Sequence, residues 1–252
     1  MANRARTVLI TGASRGVGLE LTRQLLRSPQ NSVFATCRSP SSAVALNELI
    51  RGPDTKGTVH ILQLDQDDEK SVSAAATKVG EILRADGRID YLINNAGVNL
   101  VGRTPKDGSD VPSALERKSF LATMTTNVLG PALVTQAFLP FVMRGGEDDR
   151  RVVLNMSSEL SSLGLLDEAW YKTTCYSISK AGLNMLTRHQ AHENPSVIFL
   201  ASTPGWVKTD LGGEDAPGDV EESVSKLLRL LERAELKDSG TFVNNEGRKL
   251  PW

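Results

Sequence analysis

The stretch TVLITGASRGVG, from Thr7 to Gly18, decides the fold of this chain. Its first five residues are apolar or β-branched and predict a buried strand, and an amphipathic pattern that predicts a helix begins at Gly16. Glycine lets the connecting backbone turn tightly and approach a pyrophosphate, while the helix amino terminus supplies unpaired N–H groups. The spacing is Gly-x-x-x-Gly-x-Gly, not the commoner Gly-x-Gly-x-x-Gly. Its placement between strand and helix favours a dinucleotide-binding turn over a turn without a ligand.

Apolar runs alternate with amphipathic stretches along almost the whole chain, as in repeated βαβ units. This pattern predicts strands at residues 7–11, 32–37, 58–64, 89–94, 151–156, 196–201 and 240–243. It predicts helices at residues 16–27, 42–51, 69–84, 120–144, 174–191 and 220–235. No internal repeat or interdomain linker is evident. We therefore predict an α/β fold over residues 1–252: a single Rossmann-type, doubly wound domain with a mainly seven-stranded parallel sheet and helices on both faces.

The composition excludes several classes of function. The 252 residues carry a formal net charge of −1, which gives no basic field for nucleic acid, and no apolar run approaches the length of a membrane span. Cys37 and Cys175 lack metal-type spacing and indicate a reducing compartment. Residues 1–6 are too short and polar for a signal peptide, so we predict a cytoplasmic protein. His189 and His192 could pair on a metal, but no third ligand has matching spacing, and no metal site is predicted.

Three segments interrupt the regular pattern, at residues 102–118, 159–172 and 203–219. Each follows a predicted strand, and the second contains Leu165, Leu166 and Trp170, which could line a substrate pocket or only anchor the loop. Because open α/β sheets bind their ligands outside the carboxyl ends of the strands, we expect these segments to form the walls of a substrate site.

The end of the second predicted strand selects between NAD and NADP. NAD-binding proteins commonly place an acidic residue there for the ribose 2′-hydroxyl, whereas an arginine accommodates a 2′-phosphate. This strand ends in Arg38, no acidic residue occurs before Glu48, and Arg15 in the glycine turn could reach the same phosphate. The guanidinium fork suits phosphate oxygens, so NADP(H) is the predicted cofactor. The alternative is that both arginines are solvated surface residues.

Tyr176 and Lys180 lie four residues apart at the start of a predicted helix, so one helix face carries both a phenol and an ammonium. A nearby positive charge stabilises the phenolate, which makes the phenol a better proton donor and acceptor near neutral pH. A pair with this spacing is common by chance. Its weight comes from the motifs around it: the glycine turn, the run NNAG at residues 94–97, and Ser157-Ser158 after an apolar run.

In this order the motifs resemble those of the short-chain dehydrogenase/reductase family over essentially the whole chain. A closer likeness is to the C-factor/sniffer-like carbonyl reductases, through residues 204–213 and the closing segment GRKLPW at residues 247–252. The matching positions are residues 11–18, Asp65, residues 94–97, Asn127, Ser158, Tyr176, Lys180 and residues 204–209.

The resemblance implies a role for each catalytic position. Tyr176 would exchange a proton with the carbonyl oxygen, Lys180 would bind the nicotinamide ribose, and Ser158 would stabilise the charge on that oxygen. Asn127 would position a water that links Lys180 to solvent. Ser157 competes with Ser158 for the serine role, and Ser161 or Ser162 could also take it, because the segment from Ser158 to Tyr176 is longer than is usual in the family. The predicted cofactor-binding residues are Gly12, Ser14, Arg15, Gly16, Val17, Gly18, Arg38, Asp65, Asn94, Ala96, Gly97, Tyr176, Lys180, Val207 and Thr209.

The function that the resemblance implies is an NADPH-dependent reduction of a ketone or aldehyde. Two other readings stay open: an alcohol dehydrogenase that works in the oxidative direction, and a non-catalytic dinucleotide-binding signalling protein. Relatives pair their long helices in dimers or tetramers, so the resemblance implies a homodimer or homotetramer. The sequence alone does not decide between a monomer, a dimer and a tetramer. The only other predicted partner is a small-molecule carbonyl substrate, whose identity the sequence leaves open.

Overall fold

The computed structural model of the protein describes residues 5–100, 110–144, 150–166 and 173–252. These residues contain seven strands: β1 Thr7–Thr11, β2 Ser32–Cys37, β3 Thr58–Gln63, β4 Tyr91–Asn94, β5 Val152–Met156, β6 Ile198–Thr203 and β7 Thr241–Asn244. They form one sheet in the order β3-β2-β1-β4-β5-β6-β7, in which all neighbouring strands run parallel. The predicted Rossmann-type, doubly wound fold class is confirmed.

The sheet is covered on both faces by helices. The α-helices of the described residues are α1 Gly16–Leu26, α2 Val44–Arg51, α3 Glu69–Leu83, α4 Arg117–Met124, α5 Gly130–Val142, α6 Thr174–Glu193 and α7 Val220–Arg233. Val8 and Ile10 of β1 belong to a core cluster with α1, α2 and α7, whereas Leu9 belongs to a second cluster with α3 and α5. This division follows from the alternation of side chains along a strand. The helices of both clusters cover the faces of the sheet, and the loops that follow the strands lie at its carboxyl edge.

The predicted helix over residues 120–144 is observed as a helical run from Arg117 to Val142, but its middle is not α-helical. The chain forms α4, a π-helical segment Thr125–Leu129, and then α5. Pro131 has no N–H to donate to the carbonyl of Asn127, and the N–H of Gly130 bonds instead to the carbonyl of Thr125, five residues back. The interruption therefore falls on the segment that contains Asn127.

Two strand predictions differ from the structure by two residues at an end. The strand predicted at residues 196–201 is observed as β6, which begins and ends two residues later. It begins later because Val197 closes a turn by donating its N–H to the carbonyl of Asn194, and pairing with β5 starts only at Ile198. Ser202 and Thr203 continue the strand because they pair with β7. The predicted strand 89–94 begins later, at Tyr91, because the N–H of Ile89 bonds to the carbonyl of Phe141 in α5.

The three predicted loops follow β4, β5 and β6 and so meet at one edge of the sheet. Residues 102–109 of the first and 167–172 of the second, with Trp170, lie outside the described residues. A turn of 3-10 helix, Glu159–Ser161, opens the second loop. In the third, Val207 pairs with Gly218. Within the described part of the chain, no helix combines the length and apolar character needed to span a bilayer.

Candidate active site

A groove of about 560 Å³ opens at the carboxyl edge of the sheet, at the switch point between β1 and β4. Its walls come from the glycine turn, from the ends of β2 to β6, and from the start of α6. The predicted site residues that line it are Gly12, Ser14, Arg15, Gly16, Val17, Arg38, Asp65, Ala96, Gly97, Ser158, Tyr176, Lys180, Val207 and Thr209. Gly18, Asn94 and Asn127 do not line it.

The glycine turn has the conformation that requires its residue types. Gly12 and Gly16 have φ values of +69° and +55°, which lie in the left-handed region that favours glycine. A Cβ on Gly18 would lie 2.2 Å from the carbonyl oxygen of Gly12, so Gly18 permits the close packing of α1 behind the turn. Arg15, at the N-cap of α1, makes no side-chain capping bond, and the first turn contains no acidic residue. The backbone N–H groups of α1 therefore fit a pyrophosphate.

Two arginines stand at the mouth of the groove. Arg38 directly follows β2 and is exposed, with no ion-pair partner among the described residues. Arg15 forms an exposed ion pair with Asp210, with 3.0 Å between Nη1 and Oδ2. Oδ1 of Asp65, one of the predicted cofactor-binding residues, accepts a hydrogen bond from the N–H of Asp67 at 3.1 Å. The two guanidinium groups suit the 2′-phosphate of an NADP ribose better than the neutral 2′-hydroxyl of an NAD ribose.

Helix α6 brings Tyr176 and Lys180 to the floor of the groove. Lys180 is 3% exposed, and its Nζ donates a 2.7 Å hydrogen bond to the carbonyl of Met156 at the end of β5. Nζ lies 5.6 Å from the centroid of the Tyr176 ring. Burial lowers the pKa of Lys180 to about 8, because the charged form loses its water. At neutral pH the ammonium is therefore still the dominant form beside the phenol.

Ser158 is the serine whose hydroxyl remains available. Ser157 donates to Oδ1 of Asn184 at 2.6 Å, Ser161 donates to the carbonyl of Ser158 at 2.5 Å, and Ser162 donates to the carbonyl of Pro251 at 2.7 Å. The Oγ of Ser158 accepts a bond from the N–H of Leu160 and has no acceptor for its own hydrogen among the described residues. This accounting favours Ser158 over its neighbours as the donor to a bound oxygen.

Asn127 lies beneath the groove rather than in its wall. Its side chain is fully buried, accepts from the N–H of Val98 at 2.8 Å, and donates to the carbonyl of Val98 and to Oγ of Ser179. A Cβ on Gly97 would lie 3.2 Å from Oδ1 of Asn127 and 3.3 Å from Nζ of Lys180. The chain after β4 thus passes between these two side chains, where only glycine fits without displacing either.

Asn94, the first residue of the NNAG run, points away from the groove. Its Nδ2 donates to Oγ1 of Thr135 and to Oδ1 of Asn155, both inside the protein. Asn95 lines the groove instead and donates to the carbonyl of Thr11 at 2.9 Å, which ties the end of β4 to the glycine turn. The sequence contained this signal, because consecutive residues at a strand end face opposite sides.

Asn184 is a site residue that the sequence analysis missed. It is 3% exposed, accepts from Ser157, and donates to Oγ of Ser161 at 2.7 Å. It lies four residues after Lys180, so the same face of α6 carries the lysine and holds the serine loop. The sequence did contain a signal for this role, since an asparagine four residues after Lys180 lies on the same face of the predicted helix. Among the described residues, no group of three or more metal-ligating side chains occurs.

Comparisons with known proteins identify the class to which this groove belongs. The sequence matches the short chain dehydrogenase family model over residues 6–219. The short-chain dehydrogenase anuI of Penicillium roqueforti (strain FM164) is 32% identical over 253 residues, which cover 95% of this chain and 94% of that protein. The chain therefore belongs to the short-chain dehydrogenase/reductase family of oxidoreductases.

Two solved structures are similar over almost their whole length. The NADPH-bound carbonyl reductase from chicken fatty liver has a TM-score of 0.88 and 35% identity, with 99% of this chain and 100% of that chain covered. The carbonyl reductase Sniffer of D. melanogaster has a TM-score of 0.85 and 30% identity, with the same coverage. The resemblance to sniffer-like carbonyl reductases that the sequence predicts is confirmed.

Proposed function

We propose that this protein reduces the carbonyl group of a ketone or aldehyde to an alcohol with NADPH. The observation that carries the proposal is the convergence of three groups on one groove. They are the phenol of Tyr176, the buried ammonium of Lys180 at 5.6 Å from its ring, and the hydroxyl of Ser158 with its hydrogen available. Together these groups can bind one oxygen atom, stabilise its negative charge and protonate it.

Bound NADPH supplies the hydride that the carbonyl carbon accepts. Ser158 donates a hydrogen bond to the carbonyl oxygen and stabilises the negative charge that develops there. Tyr176 donates its phenolic proton to the same oxygen, and the Lys180 ammonium stabilises the phenolate that remains. In the reverse direction the phenolate removes the proton from an alcohol.

Replacement of the proton on Tyr176 is the proposed role of Asn127. Its side-chain amide already bonds to Val98 and Ser179, so the contact to a relay water falls to its backbone carbonyl. Pro131 has no N–H to donate to that carbonyl. The π-helical segment around Asn127 therefore supports a carbonyl that accepts from water near Lys180.

The proposed cofactor is NADP(H), with Arg38 and Arg15 as the residues that bind the 2′-phosphate. Support comes from the exposed guanidinium of Arg38 at the groove and from the NADPH-bound chicken carbonyl reductase. Arg38→Ala should raise the Kd for NADPH by roughly tenfold or more and leave the Kd for NADH unchanged, since it removes a charge-assisted bond. Fluorescence titration measures both values. Arg51→Ala, at an exposed arginine outside the groove, is the matched control. Equal effects on both dinucleotides would contradict the assignment.

NADPH consumption over a panel of ketones and aldehydes tests the proposed reaction. The wild-type protein should oxidise NADPH with at least one member of the panel, and Tyr176→Phe should lower kcat by about 10²–10⁴-fold, since it removes the proton donor. Tyr91→Phe is the control, because it deletes a buried phenolic oxygen that has no hydrogen-bond partner among the described residues. Activity retained in Tyr176→Phe would contradict the mechanism.

We also propose a cytoplasmic location and self-association. Cys37 and Cys175 are buried free thiols, which suits a reducing compartment.

The proposed self-association rests on exposed apolar side chains of two adjacent helices: Ile178 and Met185 of α6 are 42% and 61% exposed, and Leu121 of α4 is 50% exposed. Such side chains suit an interface between two copies of this chain. Sedimentation equilibrium would give a dimer or tetramer mass, and a monomer at micromolar concentration would contradict the second proposal.

A further inference from the structure

The chain after β7 folds back along the edge of the sheet. It reverses at Gly247, which has a φ of +89°, and the N–H of Asn244 bonds to the carbonyl of Arg248 at 2.9 Å. Val243 and Lys249 then form an antiparallel bridge, and the N–H of Leu250 bonds to the carbonyl of Phe242. Because β7 is an edge strand, this return segment pairs with backbone groups that would otherwise face solvent.

The end of this return segment is anchored to two elements of the fold. The Trp252 ring stacks on the Phe242 ring of β7, with 5.9 Å between their centroids. The guanidinium carbon of Arg188 lies 5.9 Å from the centroid of the Trp252 ring. Arg188 lies two turns after Lys180 on α6 and also donates to the carbonyl of Gly240. The position of Trp252 is thereby fixed to both β7 and the helix that carries Tyr176 and Lys180.

Pro251 and Trp252 in turn hold the loop that follows Ser158. Oγ of Ser162 donates to the carbonyl of Pro251 at 2.7 Å, and the N–H of Gly164 donates to the carbonyl of Trp252 at 3.0 Å. A Cβ on Gly164 would lie 2.9 Å from Cβ of Pro251, so a larger residue would push the two segments apart. The approach between loop and return segment therefore depends on glycine.

The loop that these bonds hold begins in the groove wall. Leu160 lines the groove, and the loop begins directly after Ser158. Its first part is bonded to α6 through Ser161 and Asn184. Beyond Ser161, the hydrogen bonds of residues 162–166 with the rest of the described chain go only to Pro251 and Trp252; the others are internal to the loop. Without the return segment, residues 162–166, which continue the chain from Leu160, have no described hydrogen bond to another part of the protein.

We propose that Pro251 and Trp252 are positioning residues that set the shape of the substrate side of the groove and so decide which carbonyl compounds it accepts. The inference rests on the proposed function, because it concerns the substrate of that reaction. A wall held by two hydrogen bonds and a stacked ring keeps one conformation, whereas a released loop must be ordered by each substrate that binds. The effect should grow with the size of the group attached to the carbonyl.

A variant that ends at Leu250 tests the proposal. Hydrogen exchange at the Gly164 amide should become at least about tenfold faster, because its acceptor is gone. The KM for bulky carbonyl compounds should rise about tenfold, that for acetaldehyde should change less than threefold, and the Kd for NADPH should stay within twofold. Lys249→Ala, at an exposed residue of the same segment, is the control and should match the wild type. Trp252→Phe keeps a stacked ring and both backbone acceptors and should also stay near the wild type.

Gly164→Ala in the full-length chain provides a second test if the shortened chain fails to fold. Its methyl group should separate the loop from Pro251 and raise the same KM values in the same order. An unchanged Gly164 exchange rate together with an unchanged substrate profile would overturn the proposal. A wild-type protein inactive on every carbonyl compound would contradict the proposed function alone, since the exchange measurement needs no substrate and still reports whether the segment holds the loop.

Discussion

Replacing Lys180 by methionine should make the stability of the cofactor-free protein respond differently to pH. Lys180 is buried, and burial lowers its pKa from the ordinary 10.5 to about 8. Since one pKa unit corresponds to about 1.4 kcal/mol, keeping this group charged in the folded state costs roughly 3 kcal/mol of unfolding free energy at pH 7. Lys180→Met has a similar length and carries no charge, so it removes this cost.

The sign of the effect follows from proton binding. Below pH 8 the lysine is protonated in the folded and unfolded chains, and the cost of burial is fully present. Between pH 8 and 10.5 the unfolded chain binds a proton that the folded chain does not, so stability rises with pH by about 1.4 kcal/mol per unit. Above 10.5 both forms are neutral and the cost is gone. From pH 8 to 9.5 the wild type should therefore gain roughly 2 kcal/mol relative to Lys180→Met.

Urea denaturation of both proteins at pH 7, 8 and 9.5 measures this difference. The variant also loses the hydrogen bond to the carbonyl of Met156, but that loss is common to all three pH values and cancels in the comparison. A difference in unfolding free energy that stays constant within about 0.5 kcal/mol, the error of such measurements, would refute the argument. It would mean that the ammonium is hydrated in the folded protein.

Two other substitutions test the packing behind the groove. Asn184→Leu should destabilise the protein by about 2 kcal/mol and lower kcat about tenfold with little change in NADPH binding, because the serine loop loses its support. Thr187→Val is the control, because it removes another buried polar group of α6 that bonds to Asn155 and not to the serine loop. It should lower the melting temperature without changing kcat. An equal loss of kcat in Asn184→Leu and Thr187→Val would contradict the role of Asn184 in positioning the serine loop. Gly18→Ala should destabilise the protein by about 3 kcal/mol in thermal unfolding and weaken NADPH binding in titration, because its methyl group meets the carbonyl of Gly12 at 2.2 Å. A stable, fully binding Gly18→Ala protein would contradict the geometry of the turn.

The sequence predicts the sheet well because its signals are local. The strand and helix of residues 7–26 are marked by an apolar run and by glycines whose positive φ values the turn requires. The π-helical segment around Asn127 was missed, although Pro131 already excluded one helical hydrogen bond. The end of β6 was missed because Ser202 and Thr203 are polar, and only their pairing with β7 makes them part of the strand.

The candidate site residues were predicted from the order of short motifs and from the family that this order resembles. Tyr176, Lys180 and Ser158 all line the groove, and their spacing placed them on the expected elements. The bonds that hold them were not predictable, because they join distant segments. Ser162 and Pro251 are 89 positions apart, and no local pattern relates a serine after β5 to the end of the chain. The choice between Ser157 and Ser158 likewise depends on Asn184, which only the folded chain brings to the loop.

The transfer of deuterium from NADPH that carries deuterium at both hydrogen positions of nicotinamide C4 tests the central claim most directly. With a carbonyl compound from the active part of the panel, the wild-type protein should form an alcohol that carries one deuterium on the former carbonyl carbon. Tyr176→Phe should bind NADPH within twofold of the wild type and form the same product at least about 100-fold more slowly, because only the proton donor is gone. An alcohol without deuterium, or an equal rate in Tyr176→Phe, would contradict hydride transfer with Tyr176 as the acid.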